Sequence, residues 1–110
     1  MPRLLLSVAS CLAVAALAAA FAGSAALAAE KTMNDQQVSQ LFASTCGFCH
    51  QKGGRMAGKG PKLAGTTRSD AFIVNRIKEG KEGAMPAFDG ALSNSQIKGI
   101  LHYIRNLKSE

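Results

Sequence analysis

Apolar residues recur at helical spacing in three separate stretches of this chain, and each stretch is preceded by residues suited to cap a helix. In the first, Met33-Asn34-Asp35-Gln36-Gln37-Val38 reads as a helix start. Asn34 is the N-cap, Gln37 completes a capping box, and Met33 and Val38 clasp across the first turn. Val38, Leu41 and Phe42 then form one stripe that faces a core. In the second stretch, Thr67-Arg68-Ser69-Asp70 offers a cap ahead of Phe72, Ile73 and Ile77, and Gly80 is placed to end the helix in a left-handed turn. The third repeats the logic of the first, with Ser93 as N-cap, Gln96 as its box partner and Leu92 against Ile97. Ile97, Ile100, Leu101, Ile104 and Leu107 continue its stripe, with Tyr103 beside it. Gly99 in the middle of this helix costs about 1 kcal/mol relative to Ala, so it marks a close backbone approach. Residues 51–60 are rich in glycine and break every period, which predicts an irregular loop. With no strand-like alternation, internal repeat or long linker, the pattern predicts a single all-α domain.

The start of the 110-residue chain stands apart from this pattern. After Arg3, residues 4–20 are almost wholly apolar, and Ala26-Leu27-Ala28 supplies the small residues a signal peptidase accepts. The expectation is a cleaved signal peptide at 1–28 and a domain at 29–110, with a retained membrane anchor as the alternative. Cys11 falls in the leader, so the remaining domain holds only Cys46 and Cys49. Export places the protein in the bacterial periplasm or on the outer face of a membrane. The balance of 13 Lys and Arg against 7 Asp and Glu is basic. An exported chain without a basic helix interleaved with aromatics is a poor nucleic-acid binder, and an acidic protein surface is the better partner. The domain is also small enough that its own side chains supply little net stability, which leaves room for a large apolar cofactor.

Cys46-Gly47-Phe48-Cys49-His50 supplies the chemistry. Two thiols three positions apart on a helical turn share a face and can form thioethers with the two vinyl groups of one porphyrin, and the adjacent His50 can ligate its iron. A thioredoxin-like dithiol would follow a strand in a βαβ pattern, and none precedes this motif. A zinc site would be one ligand short, since His102 alone remains outside the motif. A disulfide across one turn would close too small a loop to constrain the chain. The pentapeptide therefore predicts one covalent haem c held by Cys46 and Cys49, with His50 as an axial iron ligand. A ligating histidine needs an acceptor for its other nitrogen, and a carbonyl in the rigid turn Gly60-Pro61-Lys62-Leu63 can provide it. On the opposite side, Met85 is the candidate sixth ligand, in a loop bounded by Gly80, Gly83 and Gly90 and stiffened by Pro86. Met33 serves the first helix, and Met56 is too near His50 to reach the far face. Lys52, Arg55, Lys59 and Lys62 either ring an exposed haem edge or simply keep the protein soluble. His102 reads as a partly exposed helix residue.

Taken together, Cys46-x-x-Cys49-His50, Gly60-Pro61-x-Leu63, Met85-Pro86 and a terminal helix with Tyr103 resemble a small bacterial class I cytochrome c over residues 34–108. The resemblance implies three to five short helices wrapped around one haem, with the first and last helices packed crosswise. It also implies that the Pro61 carbonyl serves His50, that Met85 is the sixth ligand, and that Phe42 and Tyr103 meet at the helix crossing. One departure is visible: Val38 stands where the family usually has a small glycine, and Gly99 on the partner helix would restore the room. The implied function is periplasmic one-electron transfer by a monomer that is not an enzyme, between a dehydrogenase or membrane cytochrome complex and a terminal oxidase or reductase. Other expectations are a subunit of a dehydrogenase complex or, without Met85 on the iron, a haem sensor or peroxidase.

Overall fold

Among the described residues, four helices and one two-residue strand build the fold. They are α1 (Asp35–Thr45), α2 (Gln51–Gly54), β1 (Met56–Ala57), α3 (Asp70–Glu79) and α4 (Asn94–Arg105). The computed structural model describes residues 31–109, and the expected leader at 1–28 and its cleavage lie outside them. No helix among the described residues is long and apolar enough to cross a membrane.

The capping chemistry sets where the long helices begin. The Asn34 side chain accepts from the Gln37 amide at 2.9 Å, and the Gln37 side chain accepts from the Asn34 amide at 3.0 Å. Ser93 and Gln96 make the same reciprocal pair at the start of α4. In α3 the cap is Ser69, which accepts from the Phe72 amide. Each device satisfies backbone donors that a helix start otherwise leaves unpaired.

Val38, Phe42, Ile73, Ile77, Ile97, Ile100 and Ile104 form one buried cluster, the face that the helical stripes predict. The fourth helix is the hub, because it packs on α1 and on α3. At its crossing with α1, the Phe42 and Tyr103 rings lie 4.7 Å apart between centroids, tilted by 36°. The Tyr103 hydroxyl also donates to the Gly53 carbonyl at 2.9 Å, tying the crossing to α2. The expected exchange of small and large residues is present here: a β-carbon added at Gly99 would stand 3.0 Å from Val38 Cγ2. Valine on one helix and glycine on the other thus keep the backbones close.

The loop predicted at residues 51–60 contains more structure than its glycines suggest. Lys52 and Gly53 take left-handed conformations inside α2, at φ of 49° and 63°. For Lys52 that costs about 1–2 kcal/mol. The chain then turns back so that Gln51 pairs with Met56 and His50 with Ala57 in antiparallel bridges. This hairpin-like return accounts for the short strand that periodicity could not reveal.

Arg105 joins the end of α4 to the entry of α3. Its guanidinium donates to the Asp70 carboxylate at 2.7 Å and to the Thr66 and Arg68 carbonyls. The pair with Asp70 is solvent-exposed, so screening limits its worth.

Thermal or urea unfolding of the haem-loaded protein checks both contacts. Gly99→Leu should destabilise it by about 1–3 kcal/mol through overpacking, and Val38→Ala in the same chain should recover part of that loss. Arg105→Ala should cost about 1 kcal/mol, and Arg105→Lys should regain little because an ammonium cannot span three acceptors.

Candidate haem-binding site

The site begins where α1 ends. The Cys46 amide closes the helix on the Phe42 carbonyl at 2.8 Å, and the next turn continues the winding through bonds from the Cys49 and His50 amides to the Cys46 carbonyl. On such a turn Cys46, Cys49 and His50 share one side. Both cysteines are half-buried, and no disulfide joins them. In the polypeptide alone the Cys46 thiol is pushed up to about 11, first by burial and then by the neighbouring Cys49. At neutral pH it is therefore protonated, and the turn holds a neutral sulfur against the core.

His50 is buried, and its Nδ1 donates to the Pro61 carbonyl at 2.7 Å. A carbonyl can only accept, so this bond assigns the tautomer and leaves Nε2 with its lone pair for a metal. The turn that carries the carbonyl lies flush against the ring. A β-carbon at Gly60 would sit 2.6 Å from His50 Cε1 and 2.9 Å from Nδ1. Backbone bonds from Leu63 and Ala64 to the Gly54 carbonyl, at 2.8 and 3.0 Å, dock this turn on α2. The imidazole is thus held from behind by main chain, an arrangement suited to an axial ligand.

Met85 comes from a separate segment. Lys81 and Met85 exchange backbone bonds at 2.8 Å in each direction, closing a tight hairpin after α3. The chain then returns to α3 through bonds from Phe88 to Ile77 and from Asp89 to Lys78. Met85 is half-buried and packs against the core cluster, as do Cys46, Leu63 and Phe88. The third helix has no substantial packing on α1 or α2, so the hairpin and the cysteine turn approach the core from separate parts of the fold. An apolar disc between them would have sulfur and nitrogen donors and greasy walls, so the residues present fit a haem.

The structure therefore brings Cys46, Cys49, His50 and Pro61 into one unit and seats Met85 on the same core. His102 is exposed on α4, where its ring and its carbonyl both meet the Asn106 amide, away from this unit. A groove of about 830 Å³ runs beside α1 and α4 past Met33, Gly99 and His102, and none of the five site residues lines it. Two features escaped sequence reasoning. Arg105 as a clamp on the α3 entry carried no local signal. The other is Phe48, which the motif treats as a spacer and the structure leaves exposed beside Lys59.

Comparison with known proteins agrees with the geometry. Residues 33–104 match the family described as cytochrome c oxidase, cbb3-type, subunit III. The chain is 36% identical over 83 residues to cytochrome c6 of Gracilaria tenuistipitata var. liui, an alignment covering 64% of this chain and 69% of that one. Among solved structures, it is similar to cytochrome c6C from Synechococcus sp. PCC 7002, with a TM-score of 0.50 and 30% identity. That match covers 62% of this chain and 89% of the other. A further structure, of a mutant of Kustc0563, aligns with a TM-score of 0.56 and 26% identity over 64% of this chain and 98% of its own. The helices, the cysteine turn and these relatives lead to one conclusion: the chain belongs to this c-type cytochrome family and is a small monohaem cytochrome with one covalently bound haem c.

Proposed function

We propose that this protein is a periplasmic single-electron carrier whose haem iron is ligated by His50 and Met85. The observation that carries the proposal is the buried His50 imidazole, turned by the Pro61 carbonyl so that Nε2 is free beside two cysteines on the same turn. When bound, the haem supplies a one-electron couple at its iron. Cys46 and Cys49 hold the ring through thioethers, so the carrier keeps its cofactor through repeated encounters. His50 contributes a nitrogen made more basic by its bond to Pro61. A neutral Met85 sulfur as the second iron ligand would favour the ferrous state and raise the potential. The backbone bonds between Lys81 and Met85 fix the main chain that carries this side chain, which would limit rearrangement as the charge changes.

The leader at 1–28 directs export and is removed, and the domain then works as a monomer in the periplasm. Its partners are redox proteins with acidic docking surfaces: a dehydrogenase or membrane cytochrome complex on the donor side, and a terminal oxidase or reductase on the acceptor side. Encounters of this kind bury little area and weaken as salt rises, which suits rapid release.

Two substitutions test the ligand assignment. In Met85→Ala the near-infrared band of sulfur-ligated ferric haem should vanish, the potential should fall, and the reduced protein should bind carbon monoxide. A wild type that itself binds carbon monoxide would instead indicate an open site and a sensor or peroxidase. Gly60→Ala should push the His50 ring from its seat, lowering stability by about 1–3 kcal/mol and altering the haem spectrum while the thioethers stay intact.

A further inference from the structure

Phe48 is 76% exposed, the most exposed large apolar side chain among the described residues. A bound haem would not cover it. On the turn that joins Cys46 to His50, Phe48 lies about 200° round from Cys46, opposite the side the two cysteines and the histidine share. Its exposure therefore belongs to the loaded protein as well. The Lys59 ammonium lies over the ring, 4.8 Å from its centroid.

The backbone builds this pairing. The Gly60 amide donates to the Cys49 carbonyl at 3.0 Å, and the Gly58 amide donates to the Gly60 carbonyl at 2.9 Å. A β-carbon at Gly58 would stand 2.7 Å from the Cys49 carbonyl oxygen, so the turn lies directly on the cysteine segment. Lys59 is thereby set beside Phe48 by main chain. Along the sequence, the chain around this pair carries one sign of charge. Between Asp35 and Asp70 the sequence contains no carboxylate, yet it holds Lys52, Arg55, Lys59, Lys62 and Arg68.

We infer that Phe48 and Lys59 together form the docking anchor for an acidic redox protein, with the phenyl ring entering an apolar depression on the partner and Lys59 meeting a carboxylate at its rim. This inference rests on the electron-carrier reading above and assigns that carrier its contact residues. An exposed aromatic with a cation over its ring can become an interface hot spot once a partner desolvates it. Its place in the cysteine turn sets the contact on the segment that bonds the haem. Against an anionic membrane the same cations would bind, but one ring would insert little apolar area, and the bilayer has no redox centre to offer. The cations steer the encounter from a distance, and the ring fixes its register on contact.

The test uses the haem-loaded protein and two electron-transfer probes, an acidic flavodoxin and the small anion ferricyanide, followed by stopped flow across a salt series. Phe48→Ser should slow the second-order reaction with flavodoxin by about three- to tenfold while leaving the ferricyanide rate and the reduction potential unchanged. Phe48→Leu should keep most of the rate, and Lys59→Gln should slow the flavodoxin reaction and flatten its salt dependence. An unchanged flavodoxin rate in Phe48→Ser, with slowing in Lys52→Gln or Lys62→Gln, would overturn the anchor and leave the acidic-partner reading standing. A wild-type rate insensitive to salt and to every lysine substitution would overturn the acidic-partner reading as well. If Phe48→Ser instead shifted the potential, or weakened sedimentation with phosphatidylglycerol vesicles while sparing the flavodoxin rate, the ring would belong to the haem environment or to a membrane contact, and the anchor would be lost.

Discussion

A single hydrogen bond, from His50 Nδ1 to the Pro61 carbonyl at 2.7 Å, links the chemistry of this protein to its fold. It places the proton on Nδ1, leaves Nε2 without a partner in that bond and restrains the ring. The bond requires the turn at residues 60–63 to lie against the imidazole, and that turn is held in place by backbone bonds to Gly54. Gly54 in turn packs against Phe42 and Leu107, where a β-carbon would find atoms 3.2 and 2.9 Å away. The crossing of α1 and α4 therefore supports the histidine through two layers of contact, and loosening the crossing would be felt at the ligand.

The core is divided in a way that suits a cofactor-centred protein. The fourth helix touches both α1 and α3, while α3 and its Met85 hairpin stay largely clear of α1 and α2. A small chain that filled all of this space with side chains would leave no room for a porphyrin. Here the buried residues form one cluster, and half-buried Cys46, Leu63, Met85 and Phe88 pack against it. A disc bound against these residues would extend the core that the chain begins.

Charge follows a similar division of labour. The charged residues of the segment that bears the cysteines are all cationic, whereas the Met85 hairpin mixes Lys78 and Lys81 with Glu79, Glu82 and Asp89. The only salt bridge among the described residues, Arg105 with Asp70, clamps the entry of α3. Arg68 and Arg76 stack on Phe72, at 4.7 and 5.2 Å from the ring centroid. Their charges are therefore displayed over an aromatic surface and lie outside the buried core.

Sequence alone determined the parts of this protein that depend on neighbours along the chain. Capping boxes at Asn34 and Ser93, the helical stripes and the cysteine–histidine pentapeptide are all local, because a helix brings together residues three and four apart whatever the rest of the molecule does. A carbonyl in the Gly60-Pro61 turn was legible for the same reason, as a rigid turn needing a partner. Tertiary structure alone decided which contacts form across long separations. Arg105 meets Asp70 and Thr66, Lys59 lies over Phe48, and Gly99 gives Val38 its room only once the chain has folded back on itself. Nothing in local periodicity encodes such meetings, since they depend on how helices cross and where turns return. The left-handed Lys52 and the short strand after it belong to the same class: a glycine-rich segment permits many paths, and packing against Cys49, Phe42 and Leu107 selects one.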